Sequence, residues 1–335
     1  MKSAQVAYLC TACDLGVPLG TPRAVPGGSL HETWRLDTTQ GAYAVKQLNP
    51  ALLGQPGMTD LYQQTERIAA KIAAHGLPAV TAIDRQGEVL QRYEDEVFLV
   101  SRWMDGEALL PDDITPERLQ QVGAMLARLH ALPLPQTELP PLNWKPFSDD
   151  DWDMLTIHAA DLGVSWAYQV RAMMPRLVEW GKWYEEASEH LNYTLVVSHR
   201  NLDPENILWR GEDAFSIVDW ESAGLINPVV DLVETALIWS GLTTGAPSEE
   251  RFAALMQGYV QAGGMVQETG RNALRGCLGI WLGWLLFTMY RSLGIAVASD
   301  EERQHAIKQT PHVLAVVRVL AGHLELWADW VDKWL

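Results

Sequence analysis

The chain has 335 residues, enough for two domains or one large domain of two lobes, and its 48% hydrophobic and 20% charged residues are those of an ordinary globular protein. A net charge of -17 speaks against a phosphate-backbone partner, which needs patches of Lys and Arg, so no nucleic acid is expected. Three cysteines build no disulfide framework and fit a reducing, cytoplasmic setting; there the acidity either serves solubility or draws a cationic substrate.

The opening MKSAQVAYLCTACDLG is mixed and short, without the basic-then-apolar pattern of a secretory leader. Cys10 and Cys13 form a lone Cys-x-x-Cys with no further pair at zinc spacing, and read as ordinary thiols. Alternation in Ala42-Tyr43-Ala44-Val45-Lys46 predicts two strands over residues 24–48, joined by a turn around Thr38 to Gly41. A helix should follow, with Thr59 as its cap, Leu61, Ile68 and Ile72 on its apolar face and Gly76 as its stop. VTAIDRQGEVLQRYEDEVFLVSRW predicts three more short strands, completing a small antiparallel sheet with one helix.

Beyond Trp103 the character changes. ITPERLQQVGAMLARLHAL predicts a helix capped by Thr115, with Pro116 at its first position and Leu119, Val122, Leu126 and Leu129 on one face. LPLPQTELPPLNWKP reads as a proline-rich surface excursion. Residues 150–192 read as helical, Leu195 to Val218 as a loop between short strands, and the chain from Asp231 onward as mainly helices. The apolar run from Cys277 to Tyr290 is closed by Arg291 and falls short of the roughly 20 residues that span a bilayer, so a buried core helix and no membrane partner are expected. Of 15 tryptophans, 13 lie after residue 140, where they serve either as core or as an aromatic site for an amine or sugar.

Four separated features carry chemistry. In PGGSLHETW, Gly27 and Gly28, with Ser29 beside them, let the backbone approach a phosphate, although such a tripeptide also serves simply as a turn. Lys46 emerges from a partly buried strand and needs a counter-charge, for which Glu66 in the following helix is the natural candidate. In SHRNLDPENILW, His199 suits a packing role, and Asn206 offers a neutral oxygen suited to Mg²⁺. In FSIVDWESAG, Asp219 stands directly after the apolar pair Ile217-Val218, where a strand's mouth can hold a metal-phosphate; Asn206 and Asp219 are the expected metal ligands.

VVSHRNLDPENILW followed by FSIVDWESAGLINPVVDLVETA resembles the aminoglycoside phosphotransferase and choline kinase family, small-molecule relatives of the protein kinases. The shared pattern includes Asp219-Trp220-Glu221, Gly224, Pro228 and Asp231-Leu232, and extends upstream through Lys46, Glu66, LVSRWMDGEAL and the ARLHAL helix, from about residue 25 to about 240. The resemblance implies an α+β, bilobed protein-kinase-like fold. Residues 1–103 would form a small antiparallel-sheet N-lobe with one helix, and residues 104–335 a larger, mainly helical C-lobe whose last helices shape the acceptor site. It implies ATP with its adenine near Ser101, Arg102 and Trp103, Lys46 on the phosphates and held by Glu66, Mg²⁺ on Asn206 and Asp219, and Asp231 bracing the catalytic loop. The γ-phosphate would pass to a hydroxyl of an aminoglycoside-, choline- or sugar-like molecule.

One position departs from the family. Asn201 stands where its relatives carry the catalytic Asp, and an amide cannot take a proton. Asn201 can still accept a hydrogen bond from the acceptor hydroxyl and orient it, and Asp203, two residues on, could act through a water. Alternatively the chain is a nucleotide-binding pseudokinase with a binding or regulatory role. A general base supplies ~10² to 10⁴ in rate, and much of the remaining catalysis of phosphoryl transfer is positioning and charge.

Overall fold

The computed structural model describes residues 1–28, 30–134 and 149–335. Ser29 and most of the proline-rich connector lie outside the described residues. In chain order the elements are α1 (Ser3–Ala12), β1 (Arg23–Val25), β2 (Glu32–Thr38), β3 (Gly41–Gln47), α2 (Pro50–Leu53), α3 (Met58–Ala74), β4 (Leu90–Tyr93), β5 (Glu96–Arg102), α4 (Pro116–His130) and α5 (Asp149–Asp161). There follow α6 (Ala167–Leu191), β6 (Val196–Ser198), β7 (Ile207–Arg210), β8 (Ala214–Ile217), β9 (Gly224–Ile226), α7 (Pro228–Ser240), α8 (Glu249–Gln261), α9 (Gly270–Ser292), α10 (Asp300–Gly322) and α11 (Leu324–Asp332).

The chain divides into two compact units. The first holds Met1–Ala108, Asn206–Ser222 and Ala296–Glu302; the second holds Leu109–Glu205, Ala223–Ile295 and Arg303–Leu335. In the first, an antiparallel sheet runs in the order β1-β2-β3-β5-β4, and the expected β2–β3 hairpin turns between Thr38 and Gly41. Alternation gives this sheet two apolar faces. Leu36, Tyr43, Val45, Phe98 and Val100 pack against Val6, Leu9, Cys10 and Cys13 of α1 and its C-terminal cap, a helix the sequence reading did not foresee. The two thiols are therefore core residues, and burial pushes the Cys13 thiol up to about 11. On the other side Leu48, Leu90, Val97 and Leu99 pack with Tyr62 of α3.

Two expectations need correction. Helix α3 starts directly after Gly57, so Thr59 lies inside it and is not its cap. Of the three strands expected between Val80 and Trp103, only β4 and β5 form; the first reduces to isolated bridges, Ala79 with Ile217 and Ala82 with Ser101. The reason is a diverted donor: the N–H of Ala82 goes to Glu66 Oε2 at 2.8 Å. The same segment anchors the β7–β8 hairpin, since Ile217 donates to the Pro78 carbonyl and accepts from Val80, both at 2.8 Å.

The second unit is mainly helical. Helix α4 begins as expected: Thr115 Oγ1 accepts from Arg118 N–H, Pro116 takes the first position, and Leu119, Val122, Leu126 and Leu129 are buried. It packs on α8 so closely that a Cβ at Gly123 would lie 2.1 Å from the Leu255 carbonyl oxygen, and one at Gly258 2.1 Å from that of Gln120. Helix α9 is long and apolar enough to cross a membrane, but 61% of its most apolar stretch is buried within the protein, where it packs against α6, α7 and α11. It is a core helix, as expected, with Arg291 in its last turn. Trp152, Trp166 and Trp239 are fully enclosed in this unit, so these tryptophans serve the core.

Candidate active site

The β7–β8 hairpin brings the two expected metal ligands to one mouth. Ile207 pairs with Ile217, so Asn206 faces Val218, whose N–H donates to the Asn206 carbonyl at 3.0 Å. Asp219 follows with φ of +65°, an unusual conformation for a residue with a Cβ, and swings the chain out of the strand. A single 3-10 turn, Trp220–Ser222, comes next; Trp220 is buried and its indole N–H clamps the turn to the Ile217 carbonyl at 3.1 Å. In an extended strand Asp219 and Glu221 would share a face but stand apart; the turn brings both carboxylates to one ammonium.

That ammonium is Lys46. Its Nζ lies 2.6 Å from Asp219 Oδ1 and 3.6 Å from Glu221 Oε2. Burial works against the Lys46 charge, but the two carboxylates outweigh it and hold its pKa above the ordinary value. Burial also works against the Glu221 carboxylate, yet Lys46 and His31 pull its pKa down to about 2. His31 Nε2 lies 2.9 Å from Glu221 Oε2 and 2.9 Å from the Tyr62 hydroxyl, and its Nδ1 accepts the Asn49 N–H at 3.0 Å.

Glu66 is not the direct counter-ion of Lys46, contrary to the sequence expectation. Its carboxylate accepts the Ala82 N–H, while the ion pairs of Lys46 among the described residues are with Asp219 and Glu221. Burial raises the Glu66 pKa to about 7, against the opposing pull of that N–H and of Lys46. Glu66 belongs to the electrostatic surroundings of Lys46, one step removed from contact.

The remaining nucleotide-side residues fall as follows. Gly27 and Gly28 adopt φ of +101° and +83°, a left-handed pair suited to turning N–H groups toward an anion. A Cβ at Gly27 would meet nothing within 4 Å, whereas at Gly28 it would crowd the His31 carbonyl at 3.3 Å. Ser101 pairs with Ala44 in the sheet, and Arg102 lies over the Tyr43 ring at 5.4 Å. Trp103 donates its N–H to the Ala42 carbonyl at 2.9 Å, so that donor is already committed to the sheet and is not offered to a base.

Asn201 and Asp203 belong to the second unit, in the loop after β6. That loop is fastened residue by residue. Ser198 Oγ donates to Asp231 Oδ2 at 2.5 Å, and His130 Nε2 of α4 lies 2.9 Å from the same oxygen, the bracing role the resemblance implied for Asp231. His199 is fully buried. Arg200 has φ of +63°, and its guanidinium lies in the field of Asp231 and Glu234. The Leu202 carbonyl accepts the Trp239 indole N–H at 2.7 Å. Asn201 is half-buried between these fastened positions. Asp203 Oδ1 is buried without a hydrogen-bond partner, and burial with the Glu205 charge pushes the Asp203 pKa up to about 7.

The residues at the hairpin mouth fit Mg²⁺. The metal takes hard oxygens and is commonly held by one or two carboxylates together with substrate phosphates. Glu221 Oε2 is buried, with the His31 ring 2.9 Å and the Lys46 ammonium 3.6 Å away. Among the described residues no group of three or more His, Cys, Asp or Glu side chains could hold a metal. Glu221, His31 and Tyr62 were not singled out from the sequence. The spacing of the two acids in Asp219-Trp220-Glu221 was visible, but the turn that makes them converge was not.

A sheet-built first unit and a mainly helical second unit, with a lysine set against carboxylates after a short hairpin, are the parts of a protein-kinase-like fold. The sequence matches the model of the phosphotransferase enzyme family over residues 21–275, and the chain belongs to that family. A search of curated protein sequences finds no match. Among solved structures, it is similar to spectinomycin phosphotransferase APH(9)-Ia in complex with ADP and spectinomycin, with a TM-score of 0.70, 12% identity, and 98% of this chain and 99% of that chain covered. It is similar to an ethanolamine kinase of Plasmodium vivax at 0.61 and 14%, covering 90% and 83%. It is likewise similar to amicoumacin kinase hAmiN in complex with AMP-PNP, Ca²⁺ and Ami, at 0.59 and 11%, covering 92% and 93%.

Proposed function

We propose that this protein transfers the γ-phosphoryl group of ATP to a hydroxyl of a small molecule, in the cytoplasm. The observation that carries the reading is the convergence of Lys46, Asp219 and Glu221, with Asn206 at the same hairpin mouth. Gly27 and Gly28 would cover the phosphates, and Lys46 would leave its carboxylates to contact them. Asn206, Asp219 and Glu221 would hold Mg²⁺, which when bound neutralises charge on the phosphate oxygens. The ADP and AMP-PNP bound in similar structures support this assignment. Three free, buried cysteines support the cytoplasmic setting.

Asn201 would accept a hydrogen bond from the acceptor hydroxyl and hold it in line, without removing its proton. The acceptor is a small molecule, and the net charge of -17 favours a cationic one. Spectinomycin and amicoumacin, named with the similar structures, are reasonable first compounds. The test is calorimetric titration with a non-hydrolysable ATP analogue, with and without Mg²⁺, followed by a thermal-shift screen of acceptors. Nucleotide affinity should fall when the metal is chelated; a folded protein silent in both titrations overturns the proposal.

Asn201 itself favours a second reading, a nucleotide-binding protein that has given up transfer. It predicts the same Mg²⁺-dependent nucleotide binding but no phosphorylated product with any acceptor.

A further inference from the structure

Just after the glycine turn, the chain buries a histidine whose ring touches three elements of the first unit. His31 is 9% exposed. Its Nδ1 accepts the backbone N–H of Asn49, so the ring cannot carry a proton there, and the remaining N–H must be on Nε2. That nitrogen lies 2.9 Å from Glu221 Oε2 and 2.9 Å from the Tyr62 hydroxyl of α3. Asn49 is itself fixed: its Oδ1 accepts from Ala51 N–H to cap α2, and its Nδ2 donates to Glu302 Oε2 at 2.8 Å. The ring thus rests on a rigid backbone donor and presents one N–H toward the carboxylate beside Asp219.

The side chain of His31 thus reaches from the backbone of Asn49 to the acidic arm.

We propose that His31 is a positioning residue that fixes Glu221 beside Asp219, so that nucleotide and Mg²⁺ bind cooperatively. The proposal rests on the phosphotransferase reading above. Groups that orient a metal ligand from behind are typically worth 10–100-fold in metal affinity, which sets the size of the effect.

The test measures binding of AMP-PNP by calorimetry with saturating Mg²⁺ and with chelator, and takes the ratio of the two affinities. His31→Ala should lower that ratio by about ten-fold or more, while the Mg²⁺-free affinity stays within about two-fold of the parent. His31→Gln should restore much of the ratio, since its carbonyl can accept the Asn49 N–H and its amide can donate to Glu221. His31→Leu fills the same buried space without a donor, and replaces His31→Ala if that variant does not fold. Loss with Ala or Leu and recovery with Gln supports the coupling. A parental ratio in the Ala or Leu variant, or an equal loss of affinity with and without metal, overturns it while leaving the nucleotide-binding reading intact. A parent that binds no nucleotide in either buffer overturns both.

Discussion

Lys46 gives its ammonium to Asp219, 2.6 Å away, and not to Glu66 on α3. The lysine therefore sits on one of the oxygens expected to hold a metal. On the proposed function this contact would link metal binding to nucleotide binding: Lys46 would release Asp219 to reach phosphates, and Mg²⁺ would take its place.

Lys46→Met should consequently move two affinities in opposite directions. Without the ammonium, Asp219 and Glu221 face each other uncompensated, so free Mg²⁺ should bind more tightly, by about ten-fold or more. Nucleotide affinity at saturating Mg²⁺ should fall. Paired calorimetric titrations with metal alone and with metal and nucleotide read both. A fall in both affinities would mean that Lys46 does not occupy the metal's place.

Asp219→Ala should abolish the Mg²⁺-dependent part of nucleotide binding, and Asp203→Ala should leave it largely intact. Asp219 stands at the hairpin mouth in contact with Lys46, whereas Asp203 lies in the loop with a buried, unpartnered Oδ1 and no ligand role. The larger loss in the Asp203 variant would show that the metal is held elsewhere.

Asn201→Asp should raise phosphotransfer by ~10² or more if the rest of the site is complete, since that is the usual worth of a general base. Nucleotide affinity should change little. ATP hydrolysis by water serves as the readout until an acceptor is known. An Asp variant no faster than its parent, with a parent already turning over at ordinary kinase rates, would mean that the native loop has another route for the proton.

Glu66→Gln should change how stability depends on pH. Burial is the largest influence on Glu66, raising its folded pKa from 4.5 to about 7, so the folded state holds this proton more tightly than the unfolded chain. The stabilisation is complete below the unfolded value and is lost as pH rises through about 7. Glutamine can still accept the Ala82 N–H but cannot ionise. The variant should therefore lose less stability between about pH 5 and about pH 8, and exceed the parent at the upper end by about 1–3 kcal/mol. Urea midpoints across that range provide the check; parallel pH profiles would count against a buried, proton-holding Glu66.

Local signals in the sequence were strong where one residue type has one physical use. Thr115-Pro116 marked the start of α4, alternation marked the β2–β3 hairpin, and an Asp after Ile-Val marked the mouth that Asn206 and Asp219 share. What escaped depends on partners distant in sequence. Helix α1 has no polar side and is recognisable only from the sheet face it covers, formed by Leu36, Tyr43 and Val45. The strand expected near Ala82 fails because Glu66, 16 residues earlier, claims its N–H. Lys46 has acidic candidates on both sides in sequence, and its choice of Asp219, 173 residues away, is settled by the hairpin that delivers that carboxylate. His31 looked like part of a glycine-rich turn until Asn49 and Glu221 came to opposite sides of its ring.

The contact between α4 and α8 also has a consequence in time. With Gly123 and Gly258 at the crossing, two backbones touch where side chains would normally hold helices apart. Amide protons along such a seam have no route to water unless the helices separate, so their exchange with deuterated solvent should report a joint opening and not the fraying of either helix alone. Peptides covering 116–130 and 249–261 should therefore take up deuterium in step. His130, at the end of α4, shares Asp231 with Ser198 at the start of the loop that carries Asn201. The same slow opening should free that loop, giving its residues an exchange rate set by a helix crossing far along the chain.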